Sequence, residues 1–213
     1  MLVSVKGKRA VVTAGGAGMG RAACLALADA GAEVFTCDID AAALDSLPDG
    51  IHRRVCDVAD PAAVDAMLAG ILPGGLDIMV NNAGIAGPTA PVEAVSTEDW
   101  RNCMSVCIDS QFYFTRRVVP VFKAQRAGAI VNVVSAAGIL GFPNRSPYVA
   151  AKWAVTGFVK TLAMELGPHN IRVNGIVPGN VNGERMERVI TDHAGAEGLD
   201  PARVRELYAI GTS

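Results

Sequence analysis

A chain of 213 residues, 51% hydrophobic and 19% charged, has the length of one domain and enough apolar side chains to bury a core. Its net charge of −2 gives no electrostatic footprint for nucleic acid or a membrane surface. No apolar run reaches the roughly 18 residues of a membrane span. Met1 to Arg9 lacks the apolar core of a secretion signal, so a cytoplasmic location is expected.

Apolar runs alternate with helical patterns along the chain. Strands are predicted at Arg9–Thr13, Glu33–Cys37, His52–Cys56, Leu76–Asn81, Ala129–Val134 and Ile171–Val177. Helices are predicted at Met19–Ala30, Ala41–Leu47, Pro61–Ile71, Thr97–Gln125 and Pro147–Leu166. Val11-Val12, Ile78-Met79-Val80 and Ile130-Val131 show little alternation, as suits strands covered on both faces of a parallel sheet. The order implies right-handed βαβ units in an α/β, Rossmann-like, doubly wound parallel sheet. Glu184–Tyr208 reads as two helices around a turn at Gly195–Pro201. The expected organisation is one domain, 1–213, with a helical substrate lid at about 183–209.

Five cysteines, an odd number, point to reduced thiols rather than a disulfide framework. Cys103 and Cys107 share a helix face, but no further Cys or His follows at ligand spacing. Small buried residues are the favoured reading and no metal site is expected.

Thr13-Ala14-Gly15-Gly16-Ala17-Gly18-Met19-Gly20 joins the first strand to the first helix. Glycines let a backbone approach a pyrophosphate, and the helix start offers free N–H groups and a positive dipole end. Asp38 ends the second strand, where a carboxylate accepts from a ribose diol and repels a 2′-phosphate. Its neighbours Cys37 and Ile39 bring no cation, so NAD is favoured over NADP. Asp57 stands where it could meet an adenine edge. Tyr148 and Lys152 are spaced i, i+4, one above the other on a helix, with Ser135 upstream. A positive charge beside a phenol favours the phenolate, as proton transfer at a carbonyl or alcohol requires.

In this order the residues resemble the short-chain dehydrogenase/reductase family. The resemblance runs through Thr13–Gly20, Asp38, Asp57-Val58, Asn81-Asn82-Ala83-Gly84, Ser135, Tyr148-x-x-x-Lys152 and Pro178-Gly179. It implies a seven-stranded sheet binding NAD(P) across the carboxyl ends of the strands. Tyr148 would be the general acid/base, Ser135 would hold the substrate oxygen, and Lys152 would stabilise the phenolate and bind the nicotinamide ribose. Gly15, Gly18, Met19 and Gly20 would cradle phosphates, with Asp38, Asp57, Val58, Asn82 and Gly84 toward the adenosine. Pro178, Gly179 and Val181 would meet the carboxamide. The implied partner is a small alcohol or carbonyl substrate, and the implied assembly is a homo-oligomer, dimer or tetramer.

Four places depart from the family pattern. Ala14 replaces the opening glycine, tolerable if its φ stays negative while Gly15 and Gly16 absorb the turn. Cys107 stands where the family has an Asn that holds a water between lysine and solvent. Gly183 replaces a Thr. The chain ends at Ser213, before the family's last helix and strand, so the final strand is expected to be missing.

Around the site, Ile139, Leu140, Phe142, Val181 and Met186 are apolar. Arg145 is expected to be a solvated loop cation, with a bidentate grip on a carboxylate or phosphate as the other reading. Arg185 and Arg188 are expected as ordinary lid charges. His52, His169 and His193 have no partner at catalytic spacing. The leading functional expectation is an NAD-dependent alcohol dehydrogenase or ketoreductase. The alternative is an NAD-binding protein of this fold with little catalysis, used for regulation or interaction.

Overall fold

The computed structural model describes residues 4–210. Expectations that touch the two ends, among them the termination at Ser213, lie outside the described residues. Strands β1 (Arg9–Thr13), β2 (Glu33–Asp38), β3 (Ile51–Val55), β4 (Ile78–Asn81), β5 (Gly128–Val133) and β6 (Ile171–Ile176) form one sheet. The order is β3-β2-β1-β4-β5-β6, and every recorded pairing is parallel. Among the described residues the sheet ends at β6, which leaves Ile176 and Val177 exposed. The direction of winding reverses between β1 and β4, which opens a crevice beyond the strand ends.

The unalternating strand runs follow from cover on both faces. Val11, Met79 and Ile130 pack with α3 (Pro61–Ala69), α5 (Ser110–Gln125) and α6 (Ser146–Leu166) through Met67, Phe114, Phe122 and Leu166. Their neighbours Val12, Val80 and Val131 point the other way, toward Cys24 of α1 (Gly18–Asp29) and Leu44 of α2 (Ala41–Asp45). Successive strand residues therefore enter two separate cores.

The long helix expected over Thr97–Gln125 is interrupted. It begins as α4 (Thr97–Met104), capped by the Ser96 hydroxyl, then widens into a π-helical turn at Ser105–Asp109 before α5. Cys107 sits in that wide turn. Such turns add a residue without ending the helix and recur at functional sites. Helical periodicity in the sequence gives no sign of it.

Helices α7 (Glu184–Glu197) and α8 (Pro201–Ile210) form the expected pair and carry a small core of their own, Ile190, Ala194 and Val204. They touch the rest at a few polar points. Asn144 donates to Glu197 at 3.1 Å, and Arg185 donates to the Gly84 carbonyl at 3.1 Å. No described helix is long and apolar enough to cross a membrane.

Candidate active site

The crevice is a cleft of about 990 Å³ running along the strand ends. Its β1 end is fastened by one hydroxyl. Thr13 Oγ1 accepts from the backbone N–H of Asn82 and of Ala83, each at 2.9 Å. Asn82 returns its side-chain amide to the carbonyls of Thr13 at 2.9 Å and Ala14 at 3.1 Å. Asn82 thus lines the cleft while locking β4 to the glycine loop.

Within that loop Gly20 has a strict requirement for no side chain. A Cβ there would lie 2.0 Å from the Ala14 carbonyl oxygen. Ala14 itself overturns the expectation of a negative φ: it is left-handed at φ 53, and neither Gly15 nor Gly16 takes the turn. Asn82 holds the carbonyls of Thr13 and Ala14, on either side of this left-handed position. For a residue with a Cβ such a conformation costs about 1–2 kcal/mol. Gly15 also departs from its expected place. It does not line the cleft, because it faces Thr36 and Cys24 behind the loop; Gly16 lines it instead.

Helix α1 opens onto the cleft with no side-chain cap and no acidic residue in its first turn. Its first N–H groups are therefore left for a ligand, as a pyrophosphate requires. Asp38 reaches the same spot. Its carboxylate accepts from the Gly16 N–H at 3.0 Å and from the Asp40 N–H at 3.2 Å. Asp57 is turned partly to local use, accepting from Ala59 N at 2.8 Å, and it lines the cleft with Val58. An uncapped helix start, a cradle closed to a Cβ and a strand-end carboxylate together fit a dinucleotide.

At the other end, Ser135 follows β5. Its Oγ accepts from Ala137 N at 3.2 Å, which leaves the hydroxyl proton free to donate. Ala136 N donates to Pro178 O at 2.9 Å, so the Pro178-Gly179 turn after β6 is tied to the serine. Tyr148 lies on the first turn of α6. Lys152, only 2% exposed, donates to Val133 O at 2.7 Å, and its Nζ stands 5.7 Å from the Tyr148 ring centre. Ser135, Tyr148, Lys152, Pro178, Gly179 and Val181 all line the cleft, as do Gly18, Met19, Gly20 and Gly84. Phe142 and Met186 join them, whereas Ile139 and Leu140 do not.

Cys107 is fully buried and, as a thiol, donates to Ile85 O at 3.4 Å. Its Sγ and Lys152 Nζ flank the place a Cβ on Gly84 would occupy, at 3.6 and 3.5 Å. A hydrogen bond from Cys103 draws this thiol below its ordinary range; burial opposes that, and Lys152 adds to the lowering. The same bond and burial push Cys103 up. Both cysteines are free, and no group of metal-ligating side chains occurs among the described residues.

Arg145 corrects the expectation of a solvated cation. It is 6% exposed, donates from Nη2 to Ala86 O at 2.9 Å, and stands 5.1 Å from the Tyr148 ring centre. Its burial, the Thr13 clamp and the Val133 carbonyl under Lys152 carry no local sequence signal. Each depends on contacts distant along the chain.

Residues 8–194 match the family model described as short chain dehydrogenase, and the chain belongs to that family of oxidoreductases. It is 36% identical over 200 residues to 2,5-dichloro-2,5-cyclohexadiene-1,4-diol dehydrogenase of Sphingobium indicum, covering 91% of this chain and 80% of that one. Gluconate 5-dehydrogenase of Gluconobacter oxydans is also 36% identical over 200 residues, with 90% and 78% covered. Among solved structures, NAD+-bound xylitol dehydrogenase superposes with a TM-score of 0.91 at 30% identity, covering 97% of this chain and 85% of that one.

Proposed function

We propose that the chain is an NAD-dependent oxidoreductase that moves a hydride between a secondary alcohol or ketone and the nicotinamide, with Tyr148 as general acid/base. The observation that carries this reading is the convergence of Ser135, Tyr148 and buried Lys152 on one cleft with the uncapped start of α1. The three relatives are named for oxidation of a diol, a hydroxy acid and a polyol, in keeping with a carbinol substrate.

NAD, when bound, supplies the hydride acceptor; the protein supplies placement and proton transfer. Gly16, Gly18, Met19 and Gly20 present backbone to the pyrophosphate, backed by Gly15. Asp38 takes the adenosine ribose diol, with Asp57, Val58, Asn82 and Gly84 along the same side. Arg21 also lines this end, but its guanidinium is held by Ser46 Oγ and Ser46 O, both at 2.9 Å. That leaves Asp38 to repel a 2′-phosphate. Ser135 donates to the substrate oxygen, and Tyr148 exchanges a proton with it. Lys152, fixed by Val133 O, holds the nicotinamide ribose, and the turn Pro178–Val181 meets the carboxamide. Helices α7 and α8 cover the substrate as a lid on a single domain. Five buried free thiols suit a reducing, cytoplasmic setting. Exposed Phe112, Trp153 and Met164 on α5 and α6 suit pairing of copies in a homo-oligomer.

Purified protein should reduce NAD with a polyol, hydroxy acid or cyclic alcohol. Tyr148→Phe should lower kcat by about 10²–10⁴-fold while NAD still binds. Full turnover by that variant would remove Tyr148 from the mechanism.

A further inference from the structure

Charge is unevenly distributed along the cleft. Of the two carboxylates that line it among the described residues, Asp38 ends β2 and Asp57 follows β3. Ser135 and Tyr148 stand beyond β5, three strand spacings from β2, or about 14 Å. There the titratable side chains lining the wall, apart from the phenols of Tyr148 and Tyr208, are cations. Arg145, Lys152 and Arg185 stand 5.1, 5.7 and 5.8 Å from the Tyr148 ring centre. Arg188 lines the cleft as well.

Among the described residues no carboxylate pairs with Arg145, Lys152 or Arg185. Glu197 reaches this region, but its oxygens are taken by Asn144 at 3.1 Å and His193 at 3.3 Å. Arg145 is the most demanding of the three. It is nine-tenths buried, its Nη2 is used on Ala86 O, and its Nε is enclosed with no partner. A buried cation with unused donors is costly unless an anion completes it. Crowding like charges about one ring adds to that cost.

We propose that the substrate carries a carboxylate, held by Arg145 with Arg185 as a second contact from α7, while its carbinol faces Ser135 and Tyr148. The proposal rests on the oxidoreductase reading and names the substrate class of that site. A planar, singly charged group suits one enclosed guanidinium, which grips carboxylates through directed N–H donors. Because Arg145 stacks beside the Tyr148 ring, the acid group lies close to the carbinol rather than at the end of a long chain. Arg185, reaching in from α7, stands 5.8 Å from the same ring and offers the second contact there.

Matched substrates test this. 3-Hydroxybutyrate and 3-hydroxycyclohexanecarboxylate are each compared with their primary amides, which keep shape and lose charge. Wild type should favour the acids in kcat/KM by about tenfold or more, mainly through KM. Arg145→Met should erase most of that margin, read as the ratio of acid to amide kcat/KM in the variant. Arg185→Ala, on an exposed side chain that cannot unfold the core, should shrink the margin by a smaller factor. Amides that match or exceed the acids in wild type would overturn the proposal and leave the oxidoreductase reading standing. So would an Arg145→Met variant that loses both classes equally. If neither class turns over, calorimetry on NAD-loaded protein with benzoate and benzamide decides. Tighter benzoate binding that Arg145→Met erases and Arg185→Ala weakens supports the anion site without catalysis; equal binding of the two probes, or a preference that survives in Arg145→Met, overturns it.

Discussion

The two ends of the cleft are built by different means. At the β1–β2 end the groups facing the ligand are mostly backbone: the loop from Ala14 to Gly20, an uncapped helix start and one carboxylate set by Gly16 N–H. At the β5–β6 end they are side chains: a serine, a phenol and several cations, carried by α6, the loop before it and the α7 helix. Backbone recognition tolerates no added atoms but cares little about side-chain identity. Side-chain recognition is the reverse, because charge and reach decide what is held. The first end therefore suits a ligand common to a family, and the second a ligand particular to one member.

That contrast is sharpest at Gly20. Gly20→Ala puts a Cβ 2.0 Å from Ala14 O and 2.5 Å from Asn82 Nδ2. NAD affinity, read by calorimetry, should fall by about 100-fold or more, with a stability loss of about 1–3 kcal/mol. Near-normal binding would show that the loop is not the backbone cradle described. Asp38→Ala removes the carboxylate that accepts from Gly16 N–H at this end. The NAD dissociation constant should rise by about 10–100-fold, and discrimination against NADP should relax. No change in either would take Asp38 out of the ribose site.

A smaller effect of opposite sign is expected at Ala14. Ala14→Gly relieves a left-handed alanine and should add about 1 kcal/mol, raising Tm by about 2–4 °C. A fall in Tm would mean that packing of the Ala14 methyl outweighs the backbone strain. The smallest change is expected at the other end, from Cys107→Asn. Since this thiol bonds Ile85 O, turnover at pH 7 should shift by less than about threefold. A gain of tenfold would instead show that proton release past Lys152 limits the wild-type rate.

Much of the fold was legible because its signals are local. Val11-Val12 and Ile130-Val131 announce strands covered on both faces, and the predicted strand ends agree with the structure to within a residue or two. Tyr148 and Lys152 announce a shared helix face. The π-helical turn at Ser105–Asp109 was not legible, since one inserted residue leaves the apolar pattern of a long helix intact. Nor was the left-handed Ala14, whose carbonyl is held by Asn82, 68 residues away.

By itself the sequence determined the alternation of strands and helices, the glycine-rich turn, the strand-end Asp38 and the Ser135–Tyr148–Lys152 set. Each is written in residue type and spacing over a few tens of residues at most. Only the tertiary structure decided which charges meet. Arg145 reads as a surface cation until the Ala86 loop and Tyr148 close over it, and Arg185 reads as a lid charge until α7 brings it to Gly84. Burial and charge depend on what the rest of the chain places nearby, and no local pattern encodes that.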